Sequence, residues 1–226
     1  MEGIAMKKLF FISILMLMGV ALLTGCSNSK DDFQQEGYTA DPAQIKEINI
    51  NVRDRKIEVS ISRDNQIHID YHKSSKEYYD IVVSDNNMLT MTAASNKDLK
   101  DYIGGKASGR NRTIYLQIPE EFLSSLVLST TNEDILLSNL TITDNLSLST
   151  NGGDIVFEKL NVGNALALKT KNGDINGTII GSYDDYFISC DIKKGESNLP
   201  SNKDGGSKAL NVSNNNGDTE IEFINE

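Results

Sequence analysis

A decapeptide recurs three times at intervals of twenty residues. Leu126–Ile135 runs L-V-L-S-T-T-N-E-D-I, Leu146–Ile155 runs L-S-L-S-T-N-G-G-D-I, and Leu166–Ile175 runs L-A-L-K-T-K-N-G-D-I. Two looser copies follow at steps of twenty-two, marked by Ile188, Cys190, Gly195 and Glu196, then by Leu210, Val212, Gly217 and Asp218. A short fixed period constrains the fold because such a unit buries its apolar face only against its neighbours. The expectation is a β-solenoid or β-helix-like stack with regular repeats over residues 126–226. Such a stack disfavours a single deep catalytic pocket.

Within each regular unit the positions have separate roles. Leu126/Leu128, Leu146/Leu148 and Leu166/Leu168 alternate with other residues and would form two inward columns, with rungs about 4.7–4.9 Å apart. Each buried leucine contributes roughly 1.5–3 kcal/mol. Ile135/Leu137 and Ile155/Phe157 start a second side, and Leu140/Ile142 and Leu160/Val162 a third. Gly177 replaces the bulky residue in the third copy, which predicts a local narrowing. At Asn172-Gly173-Asp174 the chain must turn. Asn-Gly accommodates positive φ, and the aspartate can accept hydrogen bonds from nearby amides. Asp134, Asp154, Asp174, Glu196 and Asp218 are expected in that order along one edge.

Upstream, Ile48/Ile50/Val52, Ile57/Val59/Ile61, Ile67/Ile69/Tyr71, Ile81/Val83, Leu89/Met91 and Ile114/Leu116/Ile118 alternate with polar residues, the period of half-buried strands. No stretch after residue 25 sustains helical spacing over a dozen residues. The fold class is therefore all-β: one β-solenoid-like domain over residues 45–226 with a less regular N-terminal β part. A final strand near Glu220–Ile224 would leave an open edge, which Glu220, Glu222 and Glu226 protect by charge.

Lys7 and Lys8 precede an apolar run from Leu9 to Leu22, followed by Leu23-Thr24-Gly25-Cys26. The run is shorter than the roughly 20 residues of a membrane span but fits the core of a secretion signal. Small residues before a cysteine form a lipobox. Residues 1–25 are thus read as a lipoprotein signal peptide, and Cys26 as the residue whose thiolate accepts a diacylglyceryl group. Its acyl chains would anchor the protein in the membrane, each buried methylene contributing about 0.8 kcal/mol. Residues 26–44 are polar, contain Gly37 and Pro42, and are read as a flexible tether reaching up to about 60 Å.

Formal charge is −10 over the chain; the segment before Cys26 contributes +1, leaving −11 for the remainder. Nucleic acid and bare anionic lipid are poor partners for such a surface. Stacked N-G-D turns could present oxygens to calcium, with Asp154 and Asp174 as candidate ligands. The glycine-aspartate spacing of calcium-binding β-rolls is absent, however, and turn-stabilising aspartates are the simpler account. No cofactor is implied. His68 and His72 on one strand face would stand roughly 13 Å apart, too far for a shared metal. Cys190 takes the register of Leu168, so it reads as a small buried apolar residue, and with Cys26 lipidated no intrachain disulfide is available. Asp184-Asp185 and Glu120-Glu121 are neighbours that point apart on extended chain, not acid–base pairs. Tyr78-Tyr79 and Tyr183/Tyr186 are candidate platforms for sugar rings.

The alternating strands, the strand ending Thr113-Ile114-Tyr115-Leu116-Gln117-Ile118-Pro119, and the repeated L-x-L-x-T-x-x-G-D-I units resemble the bacterial "putative adhesin" family of surface and secreted proteins. The resemblance runs from about Ile45 to Phe223. It implies a β-solenoid-like fold and an exported or membrane-associated location, and it supplies no catalytic motif. The chain departs from the best repeat at Thr131-Asn132-Glu133, where glycine is absent, and at Asp191 to Gly195, where spacing lengthens. The functional expectation is a membrane-anchored, noncatalytic envelope lipoprotein at the extracytoplasmic face. Its partners would be membrane lipid through Cys26 and a wall polymer or envelope protein. The alternatives are a regulatory partner in envelope-stress signalling and an envelope glycan hydrolase or lyase.

Overall fold

The computed structural model describes residues 33–98, 108–120 and 123–225. The signal segment, Cys26 and the first part of the expected tether lie outside them. Among the described residues there is no α-helix, only strands and short 3-10 turns. The N-terminal part contributes β1 (Gln34–Ala40), β2 (Glu47–Asn51), β3 (Lys56–Ile61), β4 (Ile67–Lys73), β5 (Glu77–Val83), β6 (Met88–Ser95) and β7 (Thr113–Ile118). The regular repeats contribute β8 (Ser125–Ser129), β9 (Ile135–Leu137), β10 (Leu140–Ile142), β11 (Asn145–Ser149), β12 (Ile155–Val162), β13 (Ala165–Asn172) and β14 (Ile175–Ile180). The last part adds β15 (Tyr186–Lys194), β16 (Asn202–Lys203), β17 (Lys208–Asn216) and β18 (Thr219–Ile224).

These strands form two mixed, mostly parallel sheets. The front sheet runs β1-β4-β7-β3-β9-β12-β14-β18, with β10 paired to β12; the back sheet runs β16-β15-β17-β13-β11-β8-β2-β6-β5. The repeats stack in the register that their spacing predicts: Leu126, Leu146 and Leu166 pair in one row, Leu128, Leu148 and Leu168 in the other. The rows extend well beyond the repeats. One runs Leu89, Ile48, Leu126, Leu146, Leu166, Leu210, Ile188, and its neighbour runs Met91, Ile50, Leu128, Leu148, Leu168, Val212, Cys190. Every member is buried. At roughly 1.5–3 kcal/mol for each large side chain, these two columns form the back-sheet side of the core, faced by buried front-sheet residues such as Ile57, Ile135, Ile155 and Ile175. The third side also forms, with Leu140 against Leu160 and Ile142 against Val162, but its strand joins the front sheet.

The stack does not follow chain order at either end. The rung built from β2 and β3 lies between the β6/β7 rung and the first repeat, and β17 inserts between β13 and β15. The two looser copies are therefore exchanged relative to their sequence order. Both place two apolar residues at the same column positions, so the column pattern is satisfied in either order.

Three local expectations are corrected. The stretch up to Gln44, read as tether, folds from Gln34 onward: β1 pairs antiparallel with β4, and a 3-10 turn follows at Pro42–Gln44 with Asp41 as its cap. Ordered β-structure thus begins before Ile45. At Gly177 the coil does not narrow. A Cβ there would meet the Phe157 ring at 2.2 Å, so the glycine leaves room for that ring from the rung beneath. At Ile81/Val83 the burial is one-sided, because β5 is an edge strand: Ile81 packs on the core while Val83 is 40% exposed. The β18 edge is covered in part by a side chain that mimics a strand. Asn198 accepts the Ile221 N–H at 3.0 Å and donates to the Ile221 carbonyl at 2.9 Å, as a neighbouring strand would. Glu220 and Glu222 are exposed beside it, and Glu226 lies outside the described residues.

Candidate functional site

The recurring spacing of the repeat converges on one corner, where the L-x-L-x-T strand turns into the second side. The Thr150 hydroxyl donates to the Glu133 carbonyl at 3.0 Å, Thr170 to the Gly153 carbonyl at 3.1 Å, and Asn214 Nδ2 takes the same role toward the Gly173 carbonyl at 3.0 Å. Each glycine then lies against the backbone of the adjacent rung: a Cβ on Gly153 would sit 2.2 Å from the Glu133 carbonyl, on Gly173 2.1 Å from the Gly153 oxygen, and on Gly217 2.1 Å from the Gly173 oxygen. Gly173 is absent from the positive-φ residues, whereas Gly195 and Gly217 have φ of 132° and 146°. Close approach, not turn conformation, is what demands glycine at 173.

The aspartates form a ladder. Asp134 accepts the Asp154 N–H at 3.0 Å, Asp154 that of Asp174 at 2.8 Å, Asp174 that of Asp218 at 2.8 Å, and Asp218 that of Glu196 at 2.8 Å. The spatial order is thus Asp134, Asp154, Asp174, Asp218, Glu196, with the last two exchanged from the expected series. Asp154 and Asp174, the calcium candidates, each spend one carboxylate oxygen on a backbone amide. Charge-assisted bonds to N–H groups offset the repulsion between stacked carboxylates. Among the described residues no group of three or more His, Cys, Asp or Glu side chains is arranged to hold a metal ion.

Other candidate residues are placed apart. His68 sits between Asp64, at 2.8 Å, and the Thr39 hydroxyl, at 3.1 Å, while burial pulls the His72 imidazole below its ordinary pKa, with Arg110 adding to the effect. Cys190 is buried in its column, and burial raises its thiol pKa. Asp184 and Asp185 belong to a 3-10 turn, in which the Asp185 carboxylate accepts the Ser182 N–H. Glu120 is exposed, and Glu121 lies outside the described residues. The tyrosine platforms are only partly available. Tyr79 accepts from Arg55 Nε at 2.6 Å and meets Tyr71 edge-on at 5.1 Å, and Tyr186 is fully buried against Phe223.

Sequence reasoning missed the Arg55 cluster. This arginine is buried, donates to Glu77 and Tyr79, and lies 5.9 Å from the Tyr79 ring centroid; Glu77 is also bound by Lys97. Burial opposes the charge on Arg55, yet Tyr79 and Glu77 outweigh it and raise its pKa. The cluster locks the β5 edge to the turn before β3. Arg55 precedes an apolar strand in sequence, and nothing in that stretch announces a buried cation.

Sequence reasoning also missed an outward furrow on the front sheet. Asp70 is in register with Tyr115, Tyr115 with Glu58, Glu58 with Leu136, Leu136 with Val156, Val156 with Asn176, and Asn176 with Glu220. The alternate residues on these strands are buried, so this row faces out, and Tyr115 and Val156 are 41% and 38% exposed. A hollow of about 450 Å³ opens along it, lined by Glu58, Tyr115, Gln117, Leu136, Ser138 and Glu158 among others. A second hollow of about 280 Å³ adjoins it over Asn176 and Thr178, with Glu220 and Glu222 on its far side. Lys56 holds Glu58 at 2.7 Å. The furrow combines one aromatic ring, an apolar floor, and hydroxyl, amide and carboxylate groups.

The Toastrack DUF4097 family matches residues 45–226. The chain belongs to that family. Among solved structures, this Toastrack chain shares its fold with a "putative cell adhesion protein" from Clostridium sporogenes at a TM-score of 0.57 and 12% identity, covering 85% of this chain and 100% of the other. A "putative adhesin" from Bacteroides fragilis matches at a TM-score of 0.35 and 14% identity, over 88% and 100%. No curated protein matches the chain. The family match begins at Ile45, and β1 lies before it.

Proposed function

We propose that this Toastrack protein is a noncatalytic, adhesin-like binding or structural module of the cell envelope, held by lipidated Cys26 at the outer face of the cytoplasmic membrane. The observation that carries the binding reading is the fold shared with the Clostridium protein described as a putative cell adhesion protein, over 85% of this chain. The lipobox supports the anchor, and the broad sheet faces with open hollows suit contact with an extended partner more than enclosure of a small substrate.

Two experiments test the two halves. Cells expressing the full chain are labelled with alkynyl palmitate; the label is expected on the wild type and absent from Cys26→Ser, which leaves the membrane fraction. Label retained on Cys26→Ser refutes the anchor. The purified protein is then mixed with whole envelope and sedimented. Retention on the wall polymer is the expected outcome. Recovery of one specific envelope protein in its place supports the signalling reading, and release of reducing sugar ends overturns the noncatalytic one.

A further inference from the structure

We infer that the furrow across the front sheet is a glycan-binding site for a neutral or amino-substituted polysaccharide, with Tyr115 as its stacking platform. The inference rests on the binding-module reading above and gives it a location and a ligand class.

The shape comes first. The outward row from Asp70 to Glu220 crosses seven strands in register, a length of about 29 Å at the ordinary strand spacing. That is a track for a chain rather than a pocket for a monomer. Strands β7, β3, β9, β12 and β14 are interior to the sheet and paired on both sides. They offer no free backbone edge, so a peptide cannot add to them as a strand, and the ligand must be recognised by side chains alone.

The side chains then select the chemistry. The exposed Tyr115 ring and the adjoining Leu136 and Val156 form an apolar floor for the C–H face of a sugar. Gln117, Ser60 and Ser138 supply donors and acceptors beside it, and Asp70 and Glu158 supply carboxylates, which only accept. A polyol satisfies such acceptors with its hydroxyls, and an amino sugar adds a positive charge. An acidic polymer meets repulsion instead, both from these carboxylates and from the net charge of −10.

The opposite face supports the assignment by contrast. The corresponding outward row of the back sheet passes through Thr90, Asn49, Val127, Ser147, Ala167 and Asn211. It carries no ring and no carboxylate. Its exposed aromatic, Phe187, stands at the strand start outside that row.

Calorimetric titration of the full-length protein in detergent tests the site with three probes: a chitosan pentamer, an N-acetylated chitin pentamer and an oligogalacturonate. Binding is expected for one or both of the first two and not for the third. Tyr115→Ala is expected to weaken that binding about tenfold. Phe187→Ala, an equally exposed aromatic on the other face, serves as the control and is expected to bind as the wild type does. Unchanged circular dichroism and melting of Tyr115→Ala exclude misfolding as the cause. The assignment is overturned if neither neutral nor amino probe binds, or if Tyr115→Ala binds them undiminished. Sedimentation with envelope separates the two readings: Tyr115→Ala retained as well as wild type removes the furrow but leaves the module, whereas no retention of wild type removes both.

Discussion

Gly173→Ala is the substitution whose sign decides between two accounts of the repeat's glycine. Gly173 does not have positive φ. If it served only the turn, alanine would stabilise the protein by about 0.4–1 kcal/mol through the unfolded chain. The stacked geometry predicts the opposite. The added Cβ would lie 2.1 Å from the Gly153 oxygen, 2.6 Å from the Gly153 carbonyl carbon and 2.9 Å from Asp154 Oδ1. Ordinary contact begins near 3.4 Å, so the two backbones must part by roughly 1.3 Å. Three bonds cross that gap: Asp174 N–H to Asp154 Oδ1 at 2.8 Å, Ile155 N–H to the Asp174 carbonyl at 2.9 Å, and the Thr170 hydroxyl to the Gly153 carbonyl at 3.1 Å. A separation of that size takes all three beyond useful length. At about 1 kcal/mol net for each, the loss is about 3 kcal/mol. For a domain of this size that lowers the melting temperature by about 6–12 °C. Calorimetry or circular dichroism reads the shift, with Gly109→Ala as the control, since a Cβ there meets nothing within 4 Å. A Gly173→Ala protein that melts with or above the wild type refutes the close-approach argument.

The aspartate ladder makes a related prediction. Asp174→Ala removes the acceptor of the Asp218 N–H and costs about 1 kcal/mol, whereas Asp174→Asn keeps an acceptor and costs little. With that role filled, millimolar calcium or a chelator is expected to leave the melting temperature unchanged; a rise with calcium would restore the cation site at Asp154 and Asp174. Cys190 is buried, its Sγ 3.6 Å from the Ser197 hydroxyl, and burial raises its pKa. In Cys26→Ser protein, iodoacetamide is expected to label it only after denaturation, and rapid labelling of the native protein would show the column open at that end. Burial, with Asp185 adding, pushes the Tyr186 phenol up to about 12. Its neutral form therefore stabilises the fold below pH about 10, and that contribution is lost as pH rises from about 10 to 12. Denaturant titrations across that range should show stability falling in wild type and falling less in Tyr186→Phe.

The stack itself was legible because two periods reinforce each other. Alternation marks the inward face of each strand, and the twenty-residue interval aligns Leu126, Leu146 and Leu166 into one column. The aspartate was legible as an acceptor, since its spacing from the leucines repeats with them. What stayed hidden was anything that depends on which rung meets which. Ile188/Cys190 and Leu210/Val212 offer the same pair of apolar positions, so pattern alone cannot choose their order. Gly177 looks like a missing side chain until the Phe157 ring is seen to fill its place. β1 escaped notice because an edge strand buries little: Gln34–Ala40 has only intermediate and exposed residues. Tyr115 is one outward aromatic in an alternating strand, and its importance comes from the Asp70, Glu58 and Leu136 that other strands bring beside it.

The exchanged order of the end rungs has a consequence for assembly during synthesis. A chain is synthesised from its N-terminus, yet residues 186–194 sit on a layer made by residues 208–216, which are added afterwards. That end of the protein cannot be built progressively, one layer per length of chain delivered. Residues 186–194 must wait without their native neighbour until the later segment takes its place between them and residues 165–172.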